Sequence, residues 1–236
     1  MAAKVIAHRG VTHRRDGSAI RENTLEAFVR AMELGAEGIE LDVRRSADDV
    51  LMIHHDAHIS DGTVIGRTQS ADLPEWMPTL ADALEVCKDT WLNIEIKNMP
   101  SDPDYDANYG ISVAVAGLIR AFDAAERVLV SSFDFASIKR IRETDPAIPI
   151  GWLIWGQADP AQIIGRSEGM VDAIHPHEML VDSHLMSLAR KAGLIVNTWT
   201  VNDPDRVLEL HKMRVNAIVT DNVPMAIDVL YGLNGE

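Results

Sequence analysis

A single cysteine, Cys87, stands among 236 residues. That excludes an intrachain disulfide framework and any structural zinc site assembled from several thiolates. Positive charge is scarce as well: 22 Lys and Arg face 36 Asp and Glu, for a formal net charge of −14. Such a chain repels nucleic acid and gains nothing from an anionic membrane surface, so neither a nucleic-acid partner nor stable membrane association is expected. Long hydrophobic runs are missing too. No stretch approaches the roughly 18 apolar residues that span a bilayer. Met1-Ala2-Ala3-Lys4 passes at once into Val5-Ile6-Ala7, which leaves no room for a signal peptide and makes the cytoplasm the expected location. Linkers and low-complexity segments are likewise absent, so residues 1–236 are read as one domain. The 47% hydrophobic content is enough to fill its core.

What is present is a regular alternation of short apolar runs with amphipathic patterns. Val5–Ala7, Gly38–Val43, Trp91–Lys97, Val128–Ser131, Ile148–Leu153, Val171–His175, Leu194–Thr200 and Ala217–Thr220 read as eight strands. Between them, Leu25, Phe28, Val29 and Met32 fall at i, i+3, i+4 and i+7, as do Leu80, Ala83, Leu84 and Cys87, and Val115, Leu118, Ile119 and Phe122, which is helical periodicity. Asn23 and Glu26 are spaced as an N-cap and its reciprocal partner, and Asp203-Pro204 as a cap followed by proline in the first turn. A ninth run, Val50–Ile53, follows the second strand too closely for a helical crossover, so it reads as a hairpin extension. Eight βα units close a (β/α)₈ TIM barrel. The open doubly wound sheet is the alternative, but no glycine fingerprint follows the first strand.

In a barrel, strand residues alternate between the helices and the interior, and function gathers at the C-terminal ends of the strands. If Ile39, Leu41 and Val43 face the helices, Glu40 and Asp42 point inward; the same parity sends Glu95 and Lys97 inward. Three converging carboxylates repel one another unless something positive lies between them. A hard divalent cation, Mg²⁺ or Ca²⁺, is the natural answer to that need; an internal ion-pair network with Lys97 and Arg9 is the alternative. His8 ends the first strand and His55 follows the hairpin, where paired histidines suit general acid and base work at neutral pH. Arg9 and Lys97 would hold an anionic substrate.

His8-Arg9-Gly10, Glu22-Asn23-Thr24, Gly38-Ile39-Glu40-Leu41-Asp42-Val43, His55-Asp56, Pro78-Thr79-Leu80, Ile94-Glu95-Ile96-Lys97, Ser131-Ser132-Phe133, Trp199-Thr200-Val201-Asn202 and Thr220-Asp221 together resemble the glycerophosphodiester phosphodiesterases. The likeness is ordered and runs from residue 5 to 225. It implies a metal-dependent barrel that hydrolyses glycerophosphodiesters to an alcohol and sn-glycerol 3-phosphate. By the resemblance, His8 and His55 are the acid/base pair, Glu40, Asp42 and Glu95 the metal ligands, and Arg9 and Lys97 the phosphate-holding cations. Phe133 and Trp199 match aromatic positions lining the cleft. The implied mechanism lets the substrate's own glycerol hydroxyl attack phosphorus, after which water opens the cyclic phosphate.

Two other readings stand beside this one: a lysophospholipase D acting on acylated substrates, and a barrel that binds phosphate esters without turning them over. The chain departs from the family pattern at Arg21, where proline is common, and in a long, arginine-bearing stretch from Val11 to Arg21. Arg14 and Arg15 there are read either as a basic patch at the mouth or as a solvated loop paired with nearby acids. Met99–Tyr109 is read as a solvated loop or a lid over the site.

Overall fold

The computed structural model describes residues 2–14, 16–156 and 159–232; Arg15 therefore lies outside the described residues. Eight parallel strands close a ring: β1 (Lys4–His8), β2 (Gly38–Arg45), β4 (Trp91–Ile96), β5 (Val128–Ser132), β6 (Ile150–Ile154), β7 (Ala173–Pro176), β8 (Ile195–Thr198) and β9 (Ala217–Thr220). Each pairs with the next, and β9 pairs back onto β1. The short β3 (Leu51–Ile53) lies antiparallel on β2, with Val43 opposite Ile53. This is the (β/α)₈ barrel with a hairpin extension that the strand count predicts.

Helices α1 (Leu25–Glu33), α2 (Leu80–Val86), α3 (Gly110–Ala121), α4 (Phe135–Thr144), α5 (Pro160–Ser167), α6 (Ser183–Lys191), α7 (Pro204–Met213) and α8 (Val223–Tyr231) follow β1, β3, β4, β5, β6, β7, β8 and β9 in turn. Short side-chain oxygens start most of them. Thr79 and Asp82 form a reciprocal capping box on α2, and Asp134, Asp159, Asp182 and Asp203 accept from backbone N–H groups of α4, α5, α6 and α7, which satisfies donors that a helix start leaves unpaired. One expected cap is displaced. Thr24, not Asn23, caps α1 by accepting from Ala27 N, and Glu26 pairs with Arg14 instead. Asn23 takes a left-handed backbone, φ 55°, and its side chain turns to the barrel.

The apolar core lies between the ring and the helices, where Phe28, Leu41, Leu84, Ile94 and Ile119 are fully buried. Inside the ring the buried residues include Glu40, Asp42, Asn93, Glu95, His175 and Asn197. Strands β2, β4, β7 and β8 thus carry polar residues on the inner face and apolar ones on the outer, as the period of two allows, while Ile6, Ala217 and Val219 form a small apolar cluster. The stretch between β3 and α2 has a small core of its own, Met52, Ile59, Ile65, Leu73 and Met77. No helix among the described residues is long and apolar enough to cross a membrane.

Candidate active site

Adjacent strands set the register of the acidic cluster. Asp42 on β2 stands beside Glu95 on β4, and Glu40 beside His8 on β1. Ligand oxygens of Glu40, Asp42 and Glu95 all lie within 4.8 Å of one another, and all three residues are buried. Two cations thread the cluster. Lys97 Nζ lies 2.5 Å from Glu95 Oε1 and 3.1 Å from Asp42 Oδ1. Arg9 Nε lies 3.1 Å from Asp42 Oδ2, and its Nη1 donates to Glu22 Oε1 at 2.9 Å. Asn23 Nδ2 donates to Asp42 Oδ2 at 2.8 Å.

This network divides the carboxylates unequally. Burial works to raise Asp42, but Lys97 and Arg9 outweigh it and hold Asp42 well below the usual carboxylate range. Burial raises Glu95 despite the opposing pull of Lys97. Glu40 is pushed up to about 8, by burial first and then by Asp42. Its Oε1 is buried with no hydrogen-bond partner among the described residues, whereas Oε2 accepts from Arg9 N at 3.1 Å. A buried acceptor without a partner is costly, and an all-oxygen set of three carboxylates is the donor chemistry of a hard divalent cation. The residues present fit such an ion: Glu40, Asp42 and Glu95 could hold it, with Lys97 already between two of them. Of the two remedies foreseen for converging carboxylates, the ion pairs are built here for Asp42 and Glu95, and they leave Glu40 Oε1 open.

Each histidine is backed by its own carboxylate. His8 Nδ1–H donates to Asp221 Oδ1 at 2.7 Å, and Asn202 Nδ2 donates to Asp221 Oδ2 at 2.6 Å. That leaves His8 Nε2 outside this hydrogen bond, 4.0 Å from Glu40 Oε2. Burial pulls the His8 imidazole down, but the Asp221 hydrogen bond and Glu40 more than offset it, so its pKa is raised. His55 Nδ1–H donates to Asp56 Oδ1 at 2.6 Å; burial, joined by Lys97 and Arg9, lowers its pKa although Asp42 opposes. Hydrogen bonding at Nδ1 fixes the tautomer in both rings.

Phe133 and Trp199 meet edge to face, with ring centroids 5.3 Å apart, and Lys97 Nζ lies 5.9 Å from the Phe133 ring. Trp155 stacks on Trp199 at 5.6 Å and meets His177 edge-on at 4.4 Å. Trp155 is 65% exposed and Met179 79% exposed, so an aromatic wall runs outward from the cations to solvent. Trp155 forms the outer end of this wall. Sequence reasoning gave Asn23 only a helix cap, and Asp56, Asn202 and Asp221 no role. All four are polar residues inside the quoted motifs, a signal that could have marked them. Of the arginine-bearing stretch, Arg14 donates through Nε and Nη2 to both oxygens of Glu26 at 2.6 and 2.8 Å. The acids of Met99–Tyr109 are taken by Arg44 and Arg45.

Known proteins resemble this chain in sequence and fold. Residues 8–225 match the model of the glycerophosphoryl diester phosphodiesterase family. A glycerophosphodiester phosphodiesterase of Caldanaerobacter subterraneus subsp. tengcongensis is 31% identical over 98% of this chain and 98% of its own. The crystal structure of a glycerophosphodiester phosphodiesterase from Parabacteroides distasonis superposes with a TM-score of 0.83 at 27% identity, covering 99% of this chain and 98% of the other. A phosphodiesterase from Oleispira antarctica, solved with the product sn-glycerol-3-phosphate, gives 0.76 at 25% identity over 96% and 97% of the two chains. With the match running from His8 past Asp221, the chain belongs to the glycerophosphoryl diester phosphodiesterase family.

Proposed function

We propose that this protein hydrolyses glycerophosphodiesters to an alcohol and sn-glycerol 3-phosphate, with a divalent metal and with His8 and His55 as the acid/base pair. The observation that carries the reading is the pair of carboxylate-backed histidines beside the buried cluster of Glu40, Asp42 and Glu95. A barrel that only bound phosphate esters would need no such dyads. A product complex of the Oleispira antarctica relative adds support.

The chain's own groups suffice for the proton transfers. One histidine takes a proton at Nε2 from the attacking hydroxyl of the glycerol moiety, while the other gives one to the departing alcohol oxygen. Roles then reverse as water opens the cyclic phosphate. Arg9 and Lys97 bring positive charge against the phosphoryl oxygens, and being already fixed by Asp42, Glu95 and Glu22 they need not reorganise as charge develops. Glu40, Asp42 and Glu95 would hold a Mg²⁺ or Ca²⁺ ion, which would supply further Lewis-acid stabilisation of that charge. Phe133 and Trp199 line the cleft beside them.

The exposed Trp155 and Met179 favour a second reading, hydrolysis of lysophospholipids, because an apolar ledge beside the cleft would receive an acyl chain. Assays with glycerophosphocholine and a lysophospholipid separate the two. His8→Ala and His55→Ala should each lower kcat on glycerophosphocholine at least about 10²-fold, with the melting temperature nearly unchanged. Unfolded variants, or full turnover in either, would contradict the catalytic roles. Preferential cleavage of the lysophospholipid would establish the second reading instead.

A further inference from the structure

The two histidines are anchored by different means. His8 lies within β1, and the strand ladder against Glu40 fixes its backbone. His55 lies beyond the end of β3, in irregular chain. Its ring contacts Asp56, whose side chain is 72% exposed, so that hydrogen bond alone fixes the ring poorly. Its backbone carbonyl, however, accepts from Arg44 Nε at 2.9 Å.

Arg44 is unusually constrained for an arginine. Its side chain is 5% exposed. Nη1 donates to both Asp104 oxygens at 2.9 and 3.1 Å, and Nη2 donates to Asp102 Oδ2 at 3.1 Å. Such a fork, with every arm charge-assisted or bidentate, is rigid. The loop that supplies the acids is itself held down. Arg45 pairs with Asp106 at 3.0 Å, Arg67 Nη2 donates to Pro103 O at 3.1 Å, and Asn98 is bonded to the backbone of Asp106 through both its amide atoms. A Cβ on Gly66 would fall 2.5 Å from Asp104 Cβ, so the loop sits directly on the segment that follows His55. The stretch Met99–Tyr109 is thus a fixed brace rather than a lid.

We propose that Arg44 is a positioning residue for catalysis: locked by Asp102 and Asp104, it holds the His55 carbonyl and so sets the place of the imidazole at the barrel mouth. The inference rests on the reading of His55 as an acid/base group. It gives Arg44 the task for His55 that the β1 ladder performs for His8.

A double-mutant cycle on the metal-loaded enzyme with glycerophosphocholine tests it. Arg44→Lys keeps the charge but cannot reach the His55 carbonyl and both acids together. It should lower kcat about 10-fold or more, since misplacing a reacting group by about an ångström has effects of that order, and leave KM within about twofold. In a His55→Ala background the same change should lower kcat less than about twofold, because the group it places is gone. Equal losses in both backgrounds, a rise in KM alone, or no loss would overturn the proposal. If Arg44→Lys does not fold, Asp104→Asn runs the same cycle, keeping the shape of the fork while removing its countercharge. Wild-type kcat in His55→Ala would overturn this inference together with the catalytic reading; a deficient His55→Ala with additive losses would overturn the positioning role alone.

Discussion

His175 shows how much of this barrel's behaviour rests on single side chains. It is 2% exposed inside the ring, where Asn197 Nδ2 donates to its Nε2 at 3.0 Å, and it lines a cavity of about 20 Å³ together with His8, Glu40, Asn93 and Glu95. Burial pushes its pKa down to about 3, from an ordinary value of 6.5. Above about pH 6.5 it is neutral both folded and unfolded; between 6.5 and 3 only the unfolded chain takes the proton. Its contribution therefore lowers folding stability as pH falls through that window, by up to about 1.4 kcal/mol per pH unit. His175→Gln, which keeps an acceptor for Asn197, should flatten the acid limb of a stability–pH curve by close to one proton. An unaltered limb would mean that the ring is protonated in the folded state. The sequence already pointed Glu40, Asp42, Glu95 and Lys97 inward, because strand parity is local. It could not reveal that Asn23 binds Asp42, that Asp221 backs His8 from 213 residues away, or that Arg44 reaches Asp104. Those partners meet only when the ring closes.

Among elements, the turn that leaves β1 is the most tightly specified. Arg9 and Gly10 both take left-handed backbone, φ 55° and 82°. The turn presents Arg9 O to Asn23 N at 2.9 Å and brings Val11 N to Ala27 O at 3.0 Å. A Cβ on Gly10 would stand 2.7 Å from the backbone of Ala27 in α1. Gly10→Ala must therefore either strain the turn or push α1 outward, and α1 begins beside Asn23 and Glu22, which hold Asp42 and Arg9. Overpacking of this kind destabilises by about 1–3 kcal/mol, so a lower midpoint of denaturation is expected together with reduced kcat/KM. A variant as stable and active as the parent would show that the helix can yield there. The strands, and helices α1, α2 and α3, were legible from periodicity to within a few residues. The cap of α1 was not, because Asn23 and Thr24 are both good capping residues; Asp42, distant in sequence, draws Asn23 away.

Over the whole molecule, eight repeats of one βα unit carry a net charge of −14, yet they gather Arg9 and Lys97 against three buried carboxylates at the C-terminal ends of the strands. Architecture and acidic cluster were both readable in the sequence, since alternation and parity are the rules that build a barrel. The Arg44 brace, the His8–Asp221 dyad and the aromatic rim were not, for each joins residues of different βα units. The account turns on what balances Glu40, whose Oε1 has no partner among the described residues while Lys97 and Arg9 serve Asp42 and Glu95. The most direct measurement is release of sn-glycerol 3-phosphate from glycerophosphocholine by metal-stripped protein, before and after adding Mg²⁺ or Ca²⁺, with circular dichroism recorded on the same samples. Turnover should vanish on stripping while the fold persists, and return with the ion; full turnover by folded, metal-free protein would contradict the assignment of Glu40, Asp42 and Glu95.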